Sequence, residues 1–128
     1  MKNLLSRRRW MLGAGSALAT LSAPAVWSQS WPQRPIRIVV PFAPGAGTDA
    51  VGRLVAEKLA ELLPATVVVE NRVGASGAIG AQAVANSAPD GHTLLLVAAP
   101  FTTVPAALPG AGYDPLAQFT PLGMIATG

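Results

Sequence analysis

The chain has 128 residues, no cysteine, 51% hydrophobic residues and a formal net charge of +3 at pH 7. Disulfide bonds and thiolate metal sites are therefore excluded, and stability has to come from a packed apolar core. Four of the nine basic residues lie within the first nine positions, and the other five stand against six acidic residues, so the chain after residue 28 carries −1. This charge balance argues against a nucleic-acid-binding surface.

The first 28 residues have the pattern of an export signal. A basic segment at residues 2–9 precedes an apolar stretch at residues 11–26 that is rich in small residues. Small and polar residues dilute this stretch below the hydropathy of a membrane anchor, which favours a cleavable signal. Paired arginines followed by bulky apolar residues favour the twin-arginine route over the general route. We expect export to the periplasm and cleavage after Ser28, with Ala25 as the alternative.

The exported part begins with the pattern of a strand, a glycine turn and a helix. Ile36–Val40 is almost continuously apolar, as in a parallel strand that is covered on both faces. Residues 41–48 are rich in proline and glycine, and apolar residues then recur at helical spacing from residue 49 to residue 63. Thr48 is the expected N-cap of this helix, and Pro64 ends it.

The same order of elements is repeated further along the chain. Residues 66–70 predict a second strand, residues 71–77 a second glycine-containing turn, and residues 78–87 a second helix with a narrow apolar face. A third strand is expected at residues 93–98. Alternating strands and helices with short turns predict an α/β fold with a doubly wound parallel sheet and right-handed crossovers.

The last part of the chain is less regular. Proline and glycine make residues 100–114 a predicted loop, followed by one helical turn at residues 115–119 and a fourth strand at residues 122–126. Because no helix follows to cover that strand, we expect residues 29–128 to be part of a larger domain, with a small complete domain as the alternative. His92 is the only histidine, and we expect it on a surface turn at the amino edge of the sheet rather than as a catalytic base.

The two turns predict a binding site for an anion. A strand that passes through glycines into a helix directs backbone N–H groups and the positive end of the helix dipole at one place. The turns that follow the strands of a doubly wound sheet meet at one edge. Residues 41–49, 71–77 and 98–103 are therefore expected to line one crevice that suits a carboxylate or a phosphate.

A dinucleotide site is the alternative interpretation of the first turn. Gly45, Gly47 and Ala50 match the G-x-G-x-x-A fingerprint, and Glu70 stands where an acid that binds the ribose is expected. Prolines crowd this turn, however, and Asp49 would repel a pyrophosphate. An exported NAD(P)-binding oxidoreductase domain is therefore the second hypothesis.

Residues suited to catalysis are scarce. The sequence contains no nucleophile elbow, no P-loop and no His-Glu-x-x-His motif. We therefore expect a binding protein rather than an enzyme, with no catalytic residues, no cofactor and no metal site.

Four blocks of the sequence resemble a known family. They cover residues 34–49, 67–80, 88–95 and 113–119, and include Pro-Phe-Ala-Pro-Gly-Ala-Gly-Thr-Asp at 41–49 and Gly-Ala-Ser-Gly at 74–77. In their order and spacing they resemble the Bug receptors, the extracytoplasmic solute receptors of tripartite tricarboxylate transporters. The resemblance implies a two-lobed periplasmic-binding-protein fold, of which residues 29–128 would form part of the first lobe.

The resemblance also implies a function and a set of solute contacts. A monomeric receptor would hold a small carboxylate solute between its lobes, largely through backbone groups and ordered water, and would pass it to membrane subunits. The contacts carried over are Phe42, Ala46, Gly47, Thr48 and Asp49 in the first loop, Ala75, Ser76 and Gly77 in the second, and Ala99 and Phe101 after the third strand. Ala46 and Ser76 stand where many members have glycine. Without a second lobe, we expect this chain to bind the solute weakly or not at all.

Overall fold

The computed structural model describes residues 30–127, so the predicted export signal and its cleavage site lie outside the described residues. The elements occur in the order expected up to the third strand. They are β1 (Ile36–Val40), α1 (Gly47–Leu62), β2 (Val67–Asn71), a 3-10 turn (Ala75–Gly77), α2 (Ala78–Ala85), β3 (Thr93–Leu95) and α3 (Pro100–Ala107). None of the helices within residues 30–127 has the length and apolar character that crossing a membrane requires.

The three strands form one parallel sheet in the order β2–β1–β3. Ile36 pairs with Val67 on one side of β1, and Arg37 pairs with Thr93 on the other. The chain passes from β1 to β2 through α1 and then crosses over β1 to reach β3 through α2. With right-handed crossovers, this change of direction puts the two helices on opposite faces of the sheet. The predicted doubly wound parallel arrangement is therefore confirmed.

The central strand is buried, as its apolar sequence predicts. Ile36, Val39 and Val40 are each at most 1% exposed. One core cluster joins this strand to α1, and a second joins α2 and α3 to the chain that follows them. Their buried members are Ile38, Val40 and Ala56 in the first cluster, and Ala78, Ala81, Val104, Ala111 and Tyr113 in the second.

The predicted loop at residues 100–114 is wrong in its first half, because residues 100–107 form α3. Proline is tolerated at the first helical position, which Pro100 occupies. Pro105 lies inside the helix and has no N–H to donate to the carbonyl of Phe101, four residues earlier. The Tyr113 hydroxyl donates to that carbonyl at 2.8 Å instead. A partner distant in sequence thus satisfies the group that the proline leaves without a donor.

The end of the chain also departs from the prediction. Residues 115–118 form a turn, in which the carboxylate of Asp114 accepts the backbone N–H groups of Leu116 and Ala117 at 2.8 and 3.0 Å. The fourth strand predicted at residues 122–126 is not present, and these residues are exposed. A strand needs a neighbour to accept and donate its backbone hydrogen bonds, and none within residues 30–127 pairs with this segment.

His92 lies at the expected edge, but the prediction that it is on the surface is wrong. It is only 8% exposed. Its backbone N–H donates to Asp90 Oδ1 at 3.0 Å, and Trp31 packs edge-on against its ring with centroids 5.7 Å apart. The indole N–H of Trp31 donates to the Asp90 carbonyl at 3.1 Å. Packing by a residue distant in sequence therefore buries this histidine.

Candidate functional site

The two glycine-containing loops lie at the same edge of the sheet, at the carboxyl ends of the strands. The amide of the Asn71 side chain, at the end of β2, donates to the carbonyl of Phe42, just beyond β1, at 3.1 Å. Gly77 in the second loop lies against Pro41, so that a Cβ built on Gly77 would stand 3.4 Å from the Cβ of Pro41. This is the edge at which open parallel sheets bind their ligands.

A small cavity of about 10 Å³, open to solvent, lies at this edge. It brings together four of the predicted solute contacts. Its lining residues are Pro41, Phe42, Ser76, Gly77, Val97, Ala98, Phe101 and Tyr113. The predicted contacts that do not line it are Ala46, Gly47, Thr48, Asp49, Ala75 and Ala99. The cavity is therefore lined by the second loop together with Phe42 and Phe101. The start of α1 does not line it.

Four lining residues were not among the predicted contacts. Pro41 and Ala98 lie in the segments at residues 41–49 and 98–103 that were expected to line the crevice. Val97 was predicted inside the third strand, which ends at Leu95 instead. No signal in the sequence indicated Tyr113, because it comes from the chain beyond α3. Its ring stacks on Phe101 with centroids 5.4 Å apart, which completes an aromatic wall of the cavity.

The first turn of α1 presents backbone N–H groups without acceptors. The predicted N-cap, Thr48, is wrong, because the helix begins at Gly47 and the N-cap is Ala46. Alanine has no side-chain oxygen with which to accept an N–H of the first turn. Within residues 30–127, nothing accepts a hydrogen bond from the N–H of Gly47, Thr48 or Asp49. Three amides at the positive end of the helix dipole thus lack an acceptor, and an anion is the kind of ligand that such a helix end attracts.

The second loop has an unusual backbone. Four consecutive residues have positive φ, and two of them, Ala75 (φ 46°) and Ser76 (φ 54°), are not glycine. For such residues the left-handed region costs about 1–2 kcal/mol each, and strain of this kind persists mainly at functional sites. In the part of the chain that the structure describes, no group accepts a hydrogen bond from the N–H of Ala75 or Ser76.

Other amides of the two loops are already engaged. The N–H of Gly45 donates to Asp49 Oδ2 at 2.8 Å, and the N–H of Ala46 donates to the carbonyl of Ala43 at 3.1 Å. In the second loop, the N–H of Gly77 donates to the carbonyl of Gly74 at 2.9 Å. At the start of α1 and in the left-handed turn, the amides that lack an acceptor therefore include those of residues 47–49, 75 and 76.

The carboxylate of Asp49 is engaged within the protein. Asp49 is 2% exposed, and its oxygens accept hydrogen bonds from Arg53 Nε at 2.9 Å and Asn71 Nδ2 at 2.8 Å in addition to the Gly45 N–H. These hydrogen bonds hold the pKa of the Asp49 carboxyl well below its usual range, and the one from Arg53 has the largest effect. The side chain is thus ionised and buried, and the backbone N–H is the group of Asp49 that remains without an acceptor.

Comparison with known proteins identifies the family. The model of the tripartite tricarboxylate transporter family receptor matches residues 51–128. The chain belongs to this receptor family. It is 40% identical over 123 residues to the protein BugT from Bordetella pertussis, an alignment that covers 94% of this chain and 37% of BugT. The chain therefore spans about a third of the length of this relative. The resemblance found in the sequence is confirmed.

Solved structures of receptors confirm the fold class. The periplasmic binding protein BugD superposes with a TM-score of 0.64 at 48% identity, over 66% of this chain and 28% of BugD. The R. palustris protein Rpa4515, whose structure is described as a complex with adipate, superposes with a TM-score of 0.60 at 39% identity, over 67% of this chain and 29% of that protein.

The hydrogen bonds and ion pairs of the candidate site argue against the dinucleotide alternative. The Gly45 N–H, which the fingerprint would direct at a pyrophosphate, donates to Asp49 instead. Glu70, the acid assigned to the ribose, pairs with Arg72 and with Arg37, the latter at 3.2 Å. The residues that the fingerprint requires are thus engaged in contacts within the protein.

The ionised Asp49 predicts how stability depends on pH. Its pKa is lowered by folding from an ordinary value of 3.8, so the unfolded chain binds the proton more readily. The free energy of unfolding is therefore expected to be constant above about pH 5 and to fall as the pH drops below about 4. Urea unfolding at a series of pH values measures this. Asp90, Asp114 and Glu70 are shifted in the same direction, so Asp49→Asn should flatten the curve only in part. An Asp49→Asn curve as steep as that of the unmodified chain would contradict the assignment.

Proposed function

We propose that this chain forms part of a periplasmic receptor that captures a small carboxylate solute for a tripartite tricarboxylate transporter. The observation that carries the proposal is that the backbone N–H groups of residues 47–49 and of Ala75 and Ser76 lack acceptors at the carboxyl edge of one parallel sheet. The complex of the relative Rpa4515 with adipate supports a dicarboxylate as the class of solute. The basic and apolar segments of residues 1–28 support export, with membrane subunits of the transporter as the partners.

Two sets of groups would bind the solute: backbone amides would bind its carboxylate, and aromatic side chains would contact its carbon skeleton. One carboxylate would accept hydrogen bonds from the amides of residues 47–49, 75 and 76, at the N-terminus of α1 and in the strained loop. Phe42 and Phe101 would pack against the carbon skeleton, with Gly77 allowing close approach beside them. Ala46 and Ala99 would border the solute at the start of α1 and of α3. Asp49 would contribute its N–H rather than its carboxylate.

Binding through neutral amides suits a receptor that has to release its solute. An amide or helix dipole attracts a carboxylate without the fixed ion pair that an arginine would form. Each helix terminus contributes up to about 2 kcal/mol when the site is partly buried. Two loops at this upper limit contribute at most about 4 kcal/mol together, which corresponds to a dissociation constant of about 1 mM as the tightest binding expected. This chain by itself should therefore bind weakly, and in this proposal it catalyses no reaction.

The test is a titration of the isotopically labelled chain with adipate, followed by NMR. We expect the amide signals of Gly47, Thr48 and Ser76 to shift and to saturate with a dissociation constant on the order of 1 mM. The diol with the same number of carbon atoms is the matched control, and it should leave these amides unchanged because it has no carboxylate. Shifts confined to the amino edge of the sheet, around Arg34 and Arg37, would overturn the proposal. So would the absence of shifts at adipate concentrations far above 1 mM.

The same sample distinguishes the oxidoreductase alternative. NADH or NADPH is expected to leave the melting temperature unchanged, because the first turn is engaged by Asp49. A ligand that binds only the folded state raises the melting temperature. An increase with either nucleotide would therefore favour the dinucleotide site over the receptor site.

A further inference from the structure

Three polar side chains connect α1 to the end of β2. Asp49 and Arg53 lie one turn apart on α1, with Arg53 Nε 2.9 Å from Asp49 Oδ2. Asn71, the last residue of β2, donates from Nδ2 to Asp49 Oδ1 at 2.8 Å and accepts from Arg53 Nη2 at 3.3 Å. The three side chains thus form a closed ring of hydrogen bonds, which we call the Asp49 network.

The Asp49 network also holds the first loop at both of its ends. Asp49 Oδ2 accepts the N–H of Gly45, which lies just before α1. Asn71 Nδ2 donates to the carbonyl of Phe42, just after β1. Between these points, Ala43, Pro44 and Gly45 are exposed. The conformation of an exposed loop of this kind depends on the few contacts that restrain it.

The Asp49 network also determines the charge next to the site. A carboxylate in the first turn of a helix would repel a carboxylate solute that approached the amides of that turn. Here Arg53 forms an ion pair with Asp49, and the side chain of Asp49 is 3% exposed. The pairing with Arg53 neutralises the buried charge, and the hydrogen bonds replace the water that burial removes.

We propose that Asp49, Arg53 and Asn71 are positioning residues of the receptor site, and that they act on the solute through the first loop. The network fixes Phe42 and the start of α1 relative to the second loop, and it neutralises the charge of Asp49 beside the carboxylate site. This inference rests on the proposed function, because positioning has meaning only if the amides at the start of α1 bind a solute.

Amide hydrogen exchange tests the positioning without any ligand. In the unmodified chain, the Gly45 N–H is expected to exchange slowly because Asp49 accepts it. In Asp49→Ala, which removes the acceptor, and in Asn71→Ala, the Gly45 N–H should exchange at least about tenfold faster, while the amides of β1 keep their protection. Lys58→Gln is the matched control, because it removes an exposed ion pair with Glu61 on the same helix and leaves the network intact.

Adipate titration of the same variants provides the second measurement. We expect the dissociation constant to increase by about tenfold in Asp49→Ala and Asn71→Ala, and to be unchanged in Lys58→Gln. Arg53→Lys, which keeps the charge, should retain more affinity than Arg53→Gln. If Asp49→Ala does not fold, the Arg53 variants carry the test, because the side chain of Arg53 is 57% exposed.

Hydrogen exchange and adipate titration together distinguish a failure of the proposed function from a failure of the positioning role. If the unmodified chain does not bind adipate, the proposed function fails, and so does the positioning role that rests on it. If it binds adipate but the Gly45 N–H is equally protected in Asp49→Ala, the positioning role alone is overturned. It is also overturned if Gly45 and the amides of β1 lose protection together, because the network would then only stabilise the fold.

Discussion

Replacing Ala46 by aspartate should stabilise the chain and abolish its binding of adipate. Ala46 has the extended backbone of an N-cap, with φ −69° and ψ 160°, but no side-chain oxygen. An aspartate there would accept the N–H of Thr48 or Asp49, and its charge would lie at the positive end of the dipole of α1. A new cap is worth about 0.5–2 kcal/mol. The same amides are the proposed contacts of the solute, so a side chain that occupies them excludes it.

Urea unfolding and adipate titration of Ala46→Asp measure the two effects together. Ala46→Ser should show both in weaker form, because serine caps the helix without adding a charge. Ala43→Ser is the matched control, since residue 43 is exposed on the same loop but lies outside the N-cap position. A variant Ala46→Asp that binds adipate as tightly as the unmodified chain would show that these amides are not the site.

The substitution Gly80→Ala should destabilise the chain by up to about 2 kcal/mol. A Cβ at this position in α2 would lie 2.7 Å from Pro41 Cβ, 3.0 Å from the Arg72 carbonyl oxygen and 3.2 Å from Pro41 Cα. These are backbone or ring atoms that cannot rotate away, so α2 would have to move from the edge of the sheet. Overpacking of this kind costs about 1–3 kcal/mol. The better helix propensity of alanine offsets about 1 kcal/mol of that cost.

Urea unfolding of Gly80→Ala measures this loss. Gly47→Ala is the control for stability, because a Cβ at residue 47 has nothing within 4 Å and the change should not destabilise the chain. The displacement of α2 should also weaken adipate binding, since α2 directly follows Ser76 and Gly77. A Gly80→Ala chain as stable as the unmodified one would mean that α2 can move away from Pro41 without loss of packing.

The regular elements of this fold were predictable because their signals are local. The apolar run at residues 36–40 predicts β1 with the bounds that the structure shows. The helical spacing after residue 49 predicts α1 to within a few residues of its observed bounds. The sequence pattern did not predict α3, because its two prolines indicate a break in regular structure. For that helix Tyr113, 12 residues from Phe101, supplies the donor that Pro105 lacks.

The candidate site was predictable as a place rather than as a set of contacts. Glycine turns that follow parallel strands have to meet at one sheet edge, and this brings Phe42, Ser76, Gly77 and Phe101 to one cavity. The sequence could not predict that the carboxylate of Asp49 is engaged within the protein while its N–H lacks an acceptor. Its sequence neighbours indicate a polar residue in the first turn of a helix, and nothing nearby indicates that Asn71, 22 residues away, donates to it.

The sequence by itself determined the first three strands and the two helices between them, the doubly wound order, and the sheet edge at which the two glycine-containing turns meet. These features follow from apolar periodicity, turn residues and crossover handedness, all of which act over short stretches of chain. The tertiary structure alone decided which polar groups are engaged within the protein and which remain available. A hydrogen bond or the burial of a charge depends on partners such as Asn71, Tyr113 and Trp31, which only the folded chain brings into contact.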